Sequence, residues 1–223
     1  RLVKPVWRKD ILLKTCLNGS SEFMTNASSS VVNMLYNTQL MRLAGADGVA
    51  AYGAVMYVNF IFVATFLGYA IGCAPVISYH YGAGNHAELK NLYKKSMSII
   101  LVWGVILFGA AQLLAPVLSK IFVGYNTGLY AMTLHGFRVY AIAFLIIGIN
   151  IFGSSFFTAL NNGLISAVIS FLRTLVFQVI MVLTLPLWFG INGIWSAISI
   201  AEALTLIMTT TFFVRQKDKY HYL

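Results

Sequence analysis

Residues 68–96 read GYAIGCAPVISYHYGAGNHAELKNLYKKS. Three parts follow one another. An apolar helix carries Gly68 and Gly72 four residues apart on one face, where a neighbouring helix can approach closely. Pro75 removes a backbone donor and predicts an interruption of that helix. Gly82, Gly84 and Asn85 then supply a turn, and Lys90, Lys94 and Lys95 stand on a short amphipathic segment. Lysines just outside an apolar run fix the side of a membrane on which the turn lies. Taken alone, the stretch also fits an ordinary helix followed by a polar loop.

Composition decides between the two. Of 223 residues, 59% are hydrophobic and 9% charged, against about 25% charged in an average soluble domain. That leaves too few polar groups to cover a globular surface, so the chain reads as a polytopic membrane protein. The net charge of +9 does not point to nucleic acid, because the basic residues sit at the ends of apolar runs. Cys16 and Cys73 both fall in expected membrane segments, so neither a structural disulfide nor a metal site is expected. HExxH, G-x-S-x-G and GxxxxGK[ST] are absent, and no span carries two carboxylates at helical spacing. The expectation is no enzyme and no cofactor. No signal peptide is expected from these residues, and the opening on Arg1 rather than Met suits a fragment or a processed chain.

Apolar runs separated by turn residues predict six spans at about residues 11–43, 49–79, 96–121, 136–160, 164–189 and 193–214. Pro5 and Trp7 suit an interface before the first. Gly45-Ala46-Asp47-Gly48 separates the first two, with Asp47 a candidate cap. Gly124, Asn126 and Gly128 mark a loop, and Asn161-Asn162-Gly163 a tight turn. The tail RQKDKYHYL is polar. The predicted fold is an all-α integral membrane lobe of six transmembrane helices. On the side holding residue 1 lie Arg1, Lys4, Arg8, Lys9, Lys14, Lys90, Lys94, Lys95, Arg215, Lys217 and Lys219, eleven of the fifteen basic residues. Arg42, Lys120 and Arg138 lie opposite. This asymmetry places both termini in the cytoplasm.

Polar residues inside spans locate function. Glu22, Asn26, Ser29, Asn33 and Asn37 recur at helical spacing on one stripe of the first span; Asn150, Ser154, Thr158 and Asn161 form a second stripe on the fourth. Polar groups facing lipid lack partners, so both stripes face protein or a watery cleft. Interhelical hydrogen bonding and a binding surface remain open for each. Glu22 would cost roughly 2.5–3.5 kcal/mol if charged and lipid-facing; it serves either proton or cation handling or a bond to a neighbouring helix. Arg173 in the fifth span either snorkels to the interface or meets Glu202 in the sixth. His80 and His86 read as solvated loop residues.

Several stretches resemble the multidrug and toxic compound extrusion (MATE) family, and more narrowly the C-terminal six-helix lobe of its MepA-like bacterial branch. They are residues 45–53 (GADGVAAYG), 72–85 (GCAPVISYHYGAGN), Arg173 with Pro186, and 192–197 (NGIWSA) leading to Glu202. The resemblance implies half of a twelve-helix, two-lobe transporter of a bacterial inner membrane. Such proteins export cationic amphiphiles by alternating access, driven by inward proton or sodium flow. The partners implied are the bilayer, cationic small molecules, and an N-terminal lobe or a second copy. The candidate substrate or coupling residues are Glu22, Asn26, Ser29, Asn33, Asn150 and Ser154, with Arg173 and Glu202 as a candidate ion pair. The NorM-like branch holds a cation with a Glu on the first span and an Asp on the fourth. Here those positions fall near Ser30 and on Asn150, so a site of that type looks dismantled. A lipid-linked precursor flippase of the same superfamily, and a non-transporting subunit or truncated fragment, are the alternatives.

Overall fold

A computed structural model describes residues 8–222, apart from the side chains of Leu17, Asn18, Ser20, Ser21, Glu22 and Met24. Arg1, Lys4, Pro5 and Trp7 lie outside the described residues, as does the side chain of Glu22. Among the described residues all regular structure is helical: α1 (Lys9–Gly82), α2 (His86–Val123), α3 (Thr127–Ala141), α4 (Phe144–Ala159), α5 (Gly163–Phe171), a π-helical turn (Leu172–Val176), α6 (Phe177–Phe189) and α7 (Ile191–Tyr220). Four stretches are long and apolar enough to cross a membrane: Thr25–Gly82, His86–Val123, Gly163–Phe189 and Ile191–Tyr220. The pair α3 and α4, bent by 48°, makes a fifth if counted as one span. This is a multi-pass membrane fold.

α1 holds the first two expected spans. Its 74 residues would run to about 110 Å as one straight helix, far beyond a hydrocarbon core of about 30 Å. The run breaks at Gly45, whose φ of 63° and ψ of −153° lie in a region essentially restricted to glycine. The chain there doubles back. The rings of Tyr36 and Tyr52 stack 4.9 Å apart, where a straight helix would separate residues at that spacing by about 24 Å. The Tyr52 hydroxyl also donates to Asn33 Oδ1 at 3.1 Å, tying the limb of residues 9–44 to that of 46–82.

The sequence-based spans need four corrections. Pro75 does not interrupt its helix, which continues to Gly82. A Cβ at Gly68 or Gly72 would meet nothing within 4 Å, so these glycines admit no neighbouring helix among the described residues. The fourth span begins earlier, at Thr127, and is broken at Ile142–Ala143. There the amides of Ile142 and Ala143 bond three residues back, to Val139 and Tyr140 carbonyls, tightening the turn as a 3₁₀ segment does. The sixth span runs through much of the polar tail to Tyr220.

The turns follow the sequence. Gly84 takes φ 67°, and Asn85 caps α2 by accepting from the Glu88 amide at 3.1 Å. Asn126 and Asn162 cap α3 and α5 in the same way.

α4 is the centre of the lobe: Phe144, Phe152, Phe156 and Phe157 are each fully buried. Association in lipid is driven by close packing rather than by expulsion of water, and glycines make it possible. A Cβ at Gly148 would strike the Phe66 ring, one at Gly153 would strike Thr209, and one at Gly104 of α2 would stand 3.0 Å from the Phe144 carbonyl oxygen. The outward faces carry exposed apolar side chains such as Leu113, Leu187 and Trp188.

After α7 the chain folds back. His221 adopts a left-handed conformation (φ 55°), and buried Tyr222 enters a cage of Tyr93, Phe156 and Phe213. Its hydroxyl donates to the Phe213 carbonyl at 2.9 Å.

Gly45→Ala should lower the thermal unfolding midpoint in detergent, with a cost of about 1–3 kcal/mol for a side chain in that backbone region. Gly53→Ala, where a Cβ meets nothing within 4 Å, is the control and should be neutral or mildly stabilising. A second outcome concerns alkali. Burial pushes the Tyr222 phenol above its ordinary range, with Tyr93 and Tyr220 adding to the shift. The neutral phenol is the form the fold favours. Its contribution is therefore full below about pH 10 and is lost as pH rises through the raised value. Stability above about pH 10 should fall more steeply in the wild type than in Tyr222→Phe, read by unfolding curves across alkaline pH.

Candidate functional site

A cavity of about 480 Å³ opens between the two limbs of α1, the π-helical turn and α7. Its volume falls within the range of small-molecule pockets, roughly 300–1,000 Å³. The first limb lines it with Thr25, Asn26, Ser29, Asn33 and Tyr36; the second with Tyr52, Met56, Asn59, Phe60, Val63 and Leu67. Tyr140, Ile147 and Ile151 come from α3 and α4. Arg173, Thr174, Gln178, Ile198 and Glu202 complete the wall.

The polar stripe of the first limb follows from helix periodicity, and Asn26, Ser29 and Asn33 are exposed on it. Ser29 donates to the Thr25 carbonyl at 2.7 Å and Asn37 to the Asn33 carbonyl at 2.9 Å. Glu22 lies one turn before Asn26 on the same limb, with its side chain outside the described residues.

At one end of the cavity sits a buried ion pair. Glu202 is 1% exposed and Arg173 13%. Arg173 Nε donates to Glu202 Oε1 at 2.9 Å and to Oε2 at 3.2 Å. Asn150 Nδ2 donates to Glu202 Oε2 at 2.7 Å and to the Glu202 carbonyl at 2.9 Å. Three elements thus converge on one carboxylate. Arg173 does not snorkel, because it stands on the π-helical turn, where the Phe177 amide bonds the Leu172 carbonyl five residues back. The wider turn shifts the helical register and sets the guanidinium against α7.

Asn150 and Ser154 separate in role. Asn150 is fully buried against Glu202. Ser154 instead belongs to a hydroxyl cluster between α4 and α5, within 2.9 Å of Ser166 Oγ and 2.8 Å of Ser170 Oγ. It is not among the residues lining the cavity. Asn26, Ser29, Asn33, Arg173 and Glu202 share the cavity. The Tyr36 hydroxyl and Asn59 Oδ1 are buried with no hydrogen-bond partner among the described residues, so the wall carries unmet polar capacity. Tyr36, Tyr52, Asn59 and Gln178 escape a reading by stripes. The available signal was weaker: one isolated amide in each of two apolar runs, Asn59 and Gln178. Among the described residues no cluster of His, Cys, Asp and Glu could hold a metal ion.

A membrane-embedded helical lobe with a polar, partly buried cavity between its helices has the form of a transporter half. Residues 23–184 match the family described as MatE, and the chain belongs to it. The chain is similar in fold to a solved outward-facing multidrug resistance MATE family transporter of the MOP superfamily. That match has a TM-score of 0.88 at 20% identity and covers 99% of this chain and 49% of the other. A MATE in the straight conformation matches with TM-score 0.88 at 18% identity over 98% and 49%. Lipid II flippase MurJ of Bacillus subtilis (strain 168) is 30% identical over 98 residues, 43% of this chain and 18% of that protein. The chain thus spans about half the length of the solved structures it matches and less of that flippase.

Removing one partner of a buried ion pair costs about 3–5 kcal/mol, because the other charge is stranded. Arg173→Gln should lose stability of that order. Adding Glu202→Gln should recover most of it, giving a coupling well above the scatter between independent sites, about 0.3–0.5 kcal/mol. Unfolding of both single variants and the double variant in detergent measures this. Additive losses would mean that the pair carries no coupling.

Proposed function

We propose that this chain is one lobe of a secondary transporter that exports amphiphilic organic compounds by alternating access, coupled to inward flow of protons or sodium ions. The observation that supports it is the cavity itself, polar on the first limb and apolar along Val63, Leu67 and Ile151, on a fold half the length of the transporters it resembles. Transporter sites lie between repeats, so this lobe works against a second one, an N-terminal lobe or another copy of the chain. The basic residues around the turns orient it in a bacterial inner membrane with both termini cytoplasmic.

Cationic amphiphiles are the first class to test, through Glu22. Glu22, one turn before Asn26 in the sequence, is read as the group that meets a positive charge entering from the cytoplasm, with binding linked to proton release. In the complete two-lobe protein, Glu22→Gln should slow export of a cationic dye from inverted vesicles by about tenfold, the order of one charge-assisted contact. A neutral dye should be little affected and the amount of folded protein unchanged. Wild-type rates and affinities for the cationic dye at every pH tested would remove Glu22 from the mechanism.

A second reading, movement of a lipid-linked precursor, is favoured by the guanidinium of Arg173 on the cavity wall, since phosphates need cationic partners.

A further inference from the structure

The Arg173–Glu202 pair does not present its two charges equally. Glu202 is 1% exposed, and both its oxygens already accept hydrogen bonds, from Arg173 Nε and Asn150 Nδ2. Arg173 is the more exposed partner and lines the cavity. A guanidinium has five N–H donors. Only Nε–H is engaged, so the four donors on Nη1 and Nη2 have no partner among the described residues. Both side chains line the cavity, but the carboxylate is satisfied while Nη1 and Nη2 of the guanidinium stay unengaged among the described residues.

A second observation is independent of the first. Tyr36, only 2% exposed, lines the same cavity with a hydroxyl that has no partner among the described residues. An apolar wall of Val63, Leu67, Ile147 and Ile151 lines the same space.

We infer that the cavity binds amphiphiles through an anionic oxygen group, a phosphate or carboxylate seated on Nη1 and Nη2 of Arg173 and on the Tyr36 hydroxyl, with the apolar part along Val63 and Leu67. A planar oxyanion matches the guanidinium fork with two parallel hydrogen bonds. Glu202 serves as a positioning residue: it fixes the guanidinium by Nε and leaves the opposite edge free. This rests on the reading of the cavity as the substrate site and extends the second reading above, against the cationic class tested through Glu22. The same head group can come from a bilayer phospholipid or from a free amphiphile.

The test uses the purified full-length protein in nanodiscs and three probes: dodecyl phosphate, dodecyltrimethylammonium and inorganic phosphate. Wild type should bind dodecyl phosphate at least about tenfold tighter than the ammonium probe of equal chain length, one charge-assisted contact's worth. Inorganic phosphate should compete weakly. The double variant Arg173→Gln with Glu202→Gln leaves no stranded charge and should abolish the preference, with ammonium binding unchanged. If that variant fails to fold, Tyr36→Phe, which leaves the ion pair whole, still decides: it should weaken dodecyl phosphate about threefold, one neutral hydrogen bond, with ammonium binding unchanged, and undiminished dodecyl phosphate affinity overturns the seat. Loss of dodecyl phosphate affinity when phosphatidylglycerol is added to the nanodisc identifies lipid as the source; its retention identifies the free amphiphile. Equal or tighter binding of the ammonium probe by wild type overturns the anionic assignment alone. Binding of neither amphiphile overturns the cavity reading and this inference with it.

Discussion

A carboxylate buried inside a membrane protein must have a partner, and the lobe is arranged around that requirement. Glu202 on α7 is held by Arg173 from the fifth span and by Asn150 from α4. The desolvation of two charges offsets most of their attraction, so the pair fixes geometry more than it adds stability. It sets how α7, α4 and the π-helical turn lie against one another. Because most of α4 is buried, the carboxylate is joined to the packed centre of the lobe. The cavity inherits its end wall from that junction.

The two sides of the cavity are built by different physics. On the side of α1, the reversal at Gly45 brings two antiparallel limbs together, and the Tyr36–Tyr52 stack with the bond from Tyr52 to Asn33 closes the seam. On the side of α4 and α5, a network of hydroxyls does the same work. Ser154, Ser166, Ser170 and Thr158 bond among themselves, leaving little for a ligand. Polar residues at the same helical spacing thus line a cavity on one helix and bond to one another on the next.

Much of the fold was legible because lipid leaves few solutions. Apolar runs with basic residues at their ends imply spanning helices, and Gly45-Ala46-Asp47-Gly48 implies a turn between two of them. The amides of the first limb repeat at three and four residues, and the cavity lies along that stripe. Arg173 and Glu202 could be suspected of pairing because each was an isolated charge in an apolar run. Other features had no local signal. The break after Ala141 contains neither glycine nor proline, and comes from backbone tightening against packed neighbours. The π-helical turn is invisible in composition. Gly68 and Gly72 suggested a close helix contact, yet meet nothing among the described residues, because spacing identifies a smooth face without saying what lies against it. Tyr36 and Tyr52 could not be told from ordinary apolar packing until the chain reversed.

The π-helical turn has a consequence for how the fifth span is read as a helix. A π turn carries one residue more than the α-helical register requires. Removing one residue between Leu172 and Val176 would restore an unbroken α ladder and rotate one half of the span against the other by about 100°. α5 and α6 each keep the facing their own contacts demand, and the mismatch between them is taken up where Arg173 stands. The spare residue is thus a local phase shift, and the side chain at that shift is the one aimed out of step with the helix that carries it.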